Sequence, residues 1–189
     1  MTGVGEIKAE IKRIVGLVSK RFKDEVLPKL SEDDAKYYKK VTFFWGNPLE
    51  VITVLKEYST HKELKYEKFP FIALYNDISI VKNKYGDYDG TLLEIIIANA
   101  TDPNLKSEQR EIQNFKPILR PLYGFFIEEL QKSSIFVVND VQADIKHEVT
   151  ERYFWGRQGL YGQKGNVYND YIDAIHIARL DLKLNDHYC

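Results

Sequence analysis

Cysteine is all but missing from this chain. The single residue, Cys189, is the last of 189, so no disulfide can form within the chain and no cysteine cage is available for a metal. A reducing compartment is the expectation. Charge of one sign is missing too: Lys plus Arg number 27 and Asp plus Glu 28, which leaves no bulk cationic field to draw the protein to nucleic acid or anionic lipid. Long apolar runs are also lacking. Residues 92–98 and 135–138 fall far short of the roughly 20 needed to cross a bilayer, and Glu6 stands where a signal peptide needs a basic start. A soluble, non-exported protein without a membrane partner is expected.

Catalytic signatures are equally scarce. No G-x-S-x-G elbow appears for a nucleophile, and no H-E-x-x-H or H-x-x-x-H offers zinc two histidines on one helix face. Asp170, Asp173 and His176 come closest to a cluster, but on a strand Asp173 and His176 point to opposite faces and cannot chelate one ion. The carboxylate pairs Glu128-Glu129 and Asp33-Asp34 read as solvated charge. Asp87 and Asp89 lack the further oxygen ligands of a calcium loop, and His61 reads as a solvated loop residue. The reading is of a non-enzyme without a cofactor.

What the sequence does hold is pattern. With 44% hydrophobic residues it is long enough for one domain with a full core, divided into an N-terminal helix over 1–30, a helix–strand core over 41–133, and a long hairpin with a C-terminal strand over 145–184. Ile7, Ile11, Ile14, Val18 and Phe22 step by three or four and predict an amphipathic helix ending near Pro28. Glu6, Glu10, Asp24 and Glu25 dilute its basic face, which favours a docked surface helix over a membrane-surface one. Residues 31–40 read as a polar connector. Asn47, Pro48 and Glu50 then stand where an N-cap, N1 and N3 belong, opening a helix that runs to about Tyr58.

Residues 69–76 and 78–82 predict two strands with a turn at Asn76-Asp77, and 82–90 a further reversal. The nearly unbroken apolar run within 91–100 predicts a central strand covered on both faces. Residues 107–131 carry the longest apolar stripe, Ile112, Phe115, Ile118, Leu119, Leu122, Phe125, Phe126 and Leu130, with Ser107 as N-cap. Pro117 and Pro121 interrupt it, each at an interior cost of about 3 kcal/mol. The favoured outcome is a short helix ending near Phe115 and a second one starting at a proline.

Residues 135–139 and 145–155 predict short strands. Between them and the last strand lie Gly156, Gly159, Gly162 and Gly165, with Arg157 and Lys164. That spacing is neither a P-loop nor a dinucleotide fingerprint, so a projecting hairpin tip is favoured over a phosphate cradle. Residues 171–184 alternate, with the second face growing polar toward the end. Ile172, Ala174, His176, Ala178, Leu180, Leu182 and Leu184 fall on one predicted buried face, with Asp173, Ile175, Ile177, Arg179, Asp181 and Lys183 opposite.

The ordered blocks GNPLEVITVL, KFPFIALYND, TLLEIIIANATDPNLKSEQREIQNFKPILRPLYGFFIEELQKS and YNDYIDAIHIARLDLKL, spanning about 45–133 and 168–184, resemble the tail-terminator and neck (head–tail joining) proteins of tailed bacteriophages. The resemblance implies an α+β subunit, a mixed, mainly antiparallel sheet flanked by a few helices. It also implies a homo-hexameric ring that caps the tail tube, docks on neck or connector proteins in the virion, and passes DNA through its lumen without reading it. Assembly would take place in the host cytoplasm. The long N-terminal helix and the Gly-rich hairpin are departures from that pattern. Thirteen tyrosines and ten phenylalanines form a stock that could serve subunit interfaces or fill one core. Arg152, Tyr153, Trp155, Arg157, Tyr161 and Lys164 are the candidate interface or lumen residues. Two alternatives stand beside this reading: a phosphate- or nucleic-acid-processing enzyme using Arg157 and Lys164, and a monomeric adaptor.

Overall fold

The computed structural model describes residues 4–75, 78–82, 84, 88–137, 145–152 and 171–184. The first helix, α1 (Val4–Arg21), continues through a π turn, Phe22–Val26, and a 3-10 turn, Leu27–Lys29, that contains Pro28. A short helix α2 (Glu32–Ala35), capped by the Ser31 hydroxyl, sits within the predicted connector. Strand β1 (Thr42–Trp45) and helix α3 (Pro48–Thr60) follow, then β2 (Phe71–Leu74), β3 (Ser79–Lys82) and β4 (Tyr88–Ala100). The helical stretch 107–131 comprises α4 (Ser107–Arg110), a π segment (Glu111–Leu119) and α5 (Arg120–Gln131). Strands β5 (Phe136–Val137), β6 (Glu148–Arg152) and β7 (Ile172–Leu184) complete the order.

One seven-stranded sheet runs β1-β2-β4-β7-β5, with β3 also on β4 and β6 also on β7. Among the described residues only β1 and β2 pair in parallel, and the other pairs are antiparallel. The fold is therefore α+β with a mixed, mostly antiparallel sheet, as the sequence leads one to expect. The apolar 91–100 run forms most of β4, flanked by β2 and β3 on one side and β7 on the other. Ile95 and Ile97 face one core, Ile96 and Ala98 the other, so the run is apolar because both faces are covered.

The larger core lies beneath α1, the π segment and α5. From α1 it takes Ile7, Ile11, Ile14 and Val18, all fully buried. Each such side chain contributes roughly 1.5–3 kcal/mol of burial. The smaller core lies under α3, whose Val51, Ile52 and Leu55 cover Phe44, Phe71 and Ala73. The start of α3 is built as expected. Asn47 Oδ1 accepts from the Glu50 N–H at 3.0 Å, and Glu50 Oε2 accepts from the Asn47 N–H at 2.7 Å. Gly46 precedes them at φ +138, where a Cβ would lie 2.5 Å from Glu50 Oε2. The returning Glu50 side chain and the left-handed backbone together require glycine there.

Several expectations are corrected. The helix does not end near Phe115. It runs on as a π segment, in which the Arg120 N–H donates to the Phe115 carbonyl five residues back. Pro117 lacks a donor and would crowd the carbonyl of residue 113, and the wider turn accommodates both defects without a break. Pro121 sits in the first turn of α5. Ser107 is the first helical residue rather than the cap, because Gln109 Oε1 reaches back to the Lys106 N–H at 2.9 Å. Ile112 is not in the buried stripe but 68% exposed.

The expected turn at Asn76-Asp77 lies outside the described residues, and the described parts of β2 and β3 each pair with β4. Both strands lie along the same edge of β4, where the β2–β3 side advances five residues from Leu74 to Ser79 while β4 advances three, from Ile95 to Leu92. The parity of β7 also fails, because β7 carries a bulge. Leu180 pairs Leu93 and Ile177 pairs Ile95, so β7 has one residue more than β4 over this stretch, and Arg179 takes φ 53 there. The bulge switches faces: Ile172 and Ala174 belong to the small core, whereas Leu180, Leu182 and Leu184 join Ile175 and Ile177 in the large one. Finally, Glu128-Glu129 is not a fully solvated pair. Glu129 is buried and accepts from Lys132 and Arg21, while Glu128 stays exposed and bonds Arg21.

Candidate functional site

Of the six candidate residues named from sequence, the described part of the chain includes Arg152. Tyr153, Trp155, Arg157, Tyr161 and Lys164 lie outside the described residues, as does the Gly-rich stretch 156–165. Arg152 ends β6 opposite Ala174 of β7. It therefore sits on the small-core side of the sheet, beyond the part that α3 covers. Across this face the register brings Tyr75, Glu94, His176 and Arg152 into one neighbourhood. The Tyr75 N–H donates to the Glu94 carbonyl at 3.1 Å, and His176 Nε2 lies 2.6 Å from Glu94 Oε1. Burial pushes the Tyr75 hydroxyl well above its ordinary value; the Glu94 charge pushes the same way, and Arg152 opposes it. Arg152 Nε is buried with no partner among the described residues.

The other side of β6 is tied to the helices. Arg120 makes a two-toothed contact to Glu151, at 2.7 and 3.0 Å, and also bonds Glu111. His147 Nε2 lies 2.7 Å from the Tyr123 hydroxyl, while its Nδ1 faces the Ile145 carbonyl at 2.5 Å. These partners assign the proton to Nδ1 and make Nε2 the acceptor. The base of the long hairpin is thus clamped to α5.

On the large-core side, β7 contributes Asp173 to a buried polar chain that sequence reading did not find. Arg110 is only 1% exposed and Asp173 is fully buried. Arg110 Nη1 donates to Asp173 Oδ1, Nε to the Leu105 carbonyl and Nη2 to the Asp102 carbonyl, each at 2.9 Å. Asn114 Nδ2 donates to Asp173 Oδ2 at 3.1 Å and to the Ala100 carbonyl at 3.3 Å. Its oxygen therefore faces Asn99, whose Nδ2 donates to it at 2.9 Å and to the Tyr38 hydroxyl at 3.0 Å. The signal was present in part. Positions 110, 114, 118, 122, 126 and 130 are all buried at steps of four, and the first two are polar.

This chain opens into a cleft of about 680 Å³ between the turn after α1, the end of β4 and the π segment. Tyr38, Asn99, Thr101, Asn114, Ile112 and Pro117 are among the residues that line it. Burial raises the Tyr38 hydroxyl above its ordinary value, against the Asn99 hydrogen bond, and the Asp34 charge adds to the rise. Among the described residues no group of three or more His, Cys, Asp and Glu is arranged to hold a metal. No described helix is long and apolar enough to cross a membrane. Comparison with protein-family models, with curated proteins and with solved structures finds no match for this chain.

Proposed function

We propose that the protein is a non-enzymatic ring subunit of a tailed-phage virion, a tail terminator or neck ring that caps the tail tube and offers a docking surface to the head. The observation that carries this reading is the pair of outer sheet edges. Among the described residues β1 pairs only β2 and β6 pairs only β7, so the two ends of the sheet each present a row of backbone donors and acceptors. β1 and β6 run in opposite directions, as their pairings through β2, β4 and β7 require. The β6 edge of one copy could therefore meet the β1 edge of the next in antiparallel register, the head-to-tail arrangement that closes into a ring.

Further support comes from β6 itself. Glu148, Val149 and Thr150 are exposed, with Val149 at 43%, and the strand is held rigid by Arg120 and His147. The aromatic stock supports the reading less. All nine phenylalanines described are buried or half-buried, so they fill the monomer's own cores. Tyr37, at 65% exposure, remains available to a neighbour.

Replacing 153–165 with a short turn tests the hairpin's part in assembly. A folded monomer that no longer forms rings is the expected product; six-copy particles persisting in light scattering would remove the hairpin from the interface. Calorimetry with nucleotide and divalent metal separates this reading from a phosphate-handling enzyme, which alone requires saturable heat.

A further inference from the structure

The two outer edges of the sheet carry charge clusters of inverse make-up, and the fold sets both on the same face. One flank of α1 packs against α5 and the turn after it: Arg21 bonds Glu128 and Glu129, and Ser133 Oγ donates to Glu10. The other flank therefore faces outward over β1. Lys8 Nζ lies 4.8 Å from the centre of the Trp45 ring, and the Val41 N–H donates to Ser19 Oγ at 2.9 Å. The helix thus runs antiparallel to β1, and its C-terminal end stands beside the start of the strand. There Lys23, from the π turn, joins Lys39 and Lys40, which lead into β1, around the carboxylate of Glu67. The bond from Lys40 holds that carboxyl below the usual carboxylate range, and the charges of Lys40, Lys39 and Lys23 add to the effect. Three cations share one carboxylate, and Lys23 and Lys39 are exposed.

At the β6 edge the arrangement is reversed. Arg120 is shared by Glu111 of the π segment and Glu151 of β6, so two carboxylates draw on one cation. Their side chains are still 35% and 31% exposed, which leaves both within reach of a partner. Val149 and Glu151 pair with Ile177 and Ile175, whose side chains enter the large core, so they stand on the face that α1 covers at the far end of the sheet. Phe43 and Trp45 of β1 pack against that same core. A sheet continued from β6 of one copy into β1 of the next keeps its faces, which brings Glu151 under the outward flank of the neighbouring α1. Because the two strands meet antiparallel, the Glu151 end of β6 arrives at the Val41 end of β1, where the lysines gather. Direction and face alone require this.

We propose that Glu111 and Glu151 of one copy form a charged contact with Lys23, Lys39 and Lys40 of the next, and that this contact selects the β6-to-β1 joint. A joint between two like edges lacks the complement. Resting on the ring reading, the contact specifies its partner surface, which is a second copy of this chain.

The test is sedimentation velocity on the full chain, on Lys23→Glu combined with Lys39→Glu, on Glu111→Lys, and on an equimolar mixture of the two variants. The parent is expected to reach the ring mass and each variant alone to associate about tenfold more weakly or not at all. The mixture should regain the ring, since alternating copies set opposite charges together at every joint. Raising salt from about 0.05 to 0.5 M should weaken the parent's association, which keeps the test open if a variant does not fold. A parent that stays monomeric overturns the ring reading and the charged contact with it. Variants that form rings as readily as the parent, a mixture that stays monomeric, or a parent indifferent to salt overturn the contact alone and leave the ring standing.

Discussion

Strand β7 feeds two polar clusters on opposite faces of the same sheet, and they are built differently. Asp173 lies in a closed chain in which a buried cation, a buried carboxylate and two amides fix one another's direction. His176, three residues on, lies in a half-open group with Glu94, Tyr75 and Arg152. In the closed chain any lost member leaves a charge or dipole stranded away from water. In the open group water replaces what is lost, because Glu94 is 39% exposed. Burial thus decides which cluster holds the fold together and which is left free to meet something else.

The largest effect should come from Arg110→Ala. Taking the guanidinium away from the buried Asp173 carboxylate is expected to cost about 3–5 kcal/mol, read from urea unfolding midpoints. Glu94→Gln, which removes the corresponding charge on the other face, should stay within about 1 kcal/mol. Equal losses from the two variants would erase the contrast. Asn114→Ala is intermediate, about 1–3 kcal/mol, because it removes a donor from Asp173 Oδ2 and the acceptor of one Asn99 proton.

A smaller effect, in alkali, sharpens the comparison. Tyr75 and Tyr38, one from each cluster, both have hydroxyls raised above the ordinary value of 10.0. The folded state favours their neutral form. Its contribution is full below the unfolded value and is lost as pH rises from about 10 through the folded values. Stability should fall over that interval in repeated denaturant titrations, and Tyr75→Phe should make the decline shallower. A slope identical in Tyr75→Phe and the parent would show that Tyr75 does not titrate differently in the two states.

Several features of this architecture were legible locally. Asn47, Pro48 and Glu50 spell a capping box whose partners are three residues apart, and the 91–100 run announces a strand with two covered faces. Other features depend on distant partners. Nothing near Arg179 marks a bulge; the extra residue is defined against β4, and without it the faces of β7 beyond Ala178 are assigned backwards. Arg110 and Asp173 are 63 residues apart, so neither reveals the other. Pro117 signals a defect but not its form. A break and a π turn relieve the same clash, and packing of Phe115, Ile118 and Leu119 into the large core accompanies the continuous helix.

Sedimentation velocity on the intact chain and on Val149→Lys, across a wide concentration range, tests the ring proposal most directly. A lysine on the β6 edge should change monomer stability by less than about 0.5 kcal/mol while opposing strand addition. The proposal expects the parent to reach a six-copy mass, six times 22.1 kDa, and the variant to stay at one copy. A parent that sediments as a single 22.1 kDa species at every concentration would contradict it.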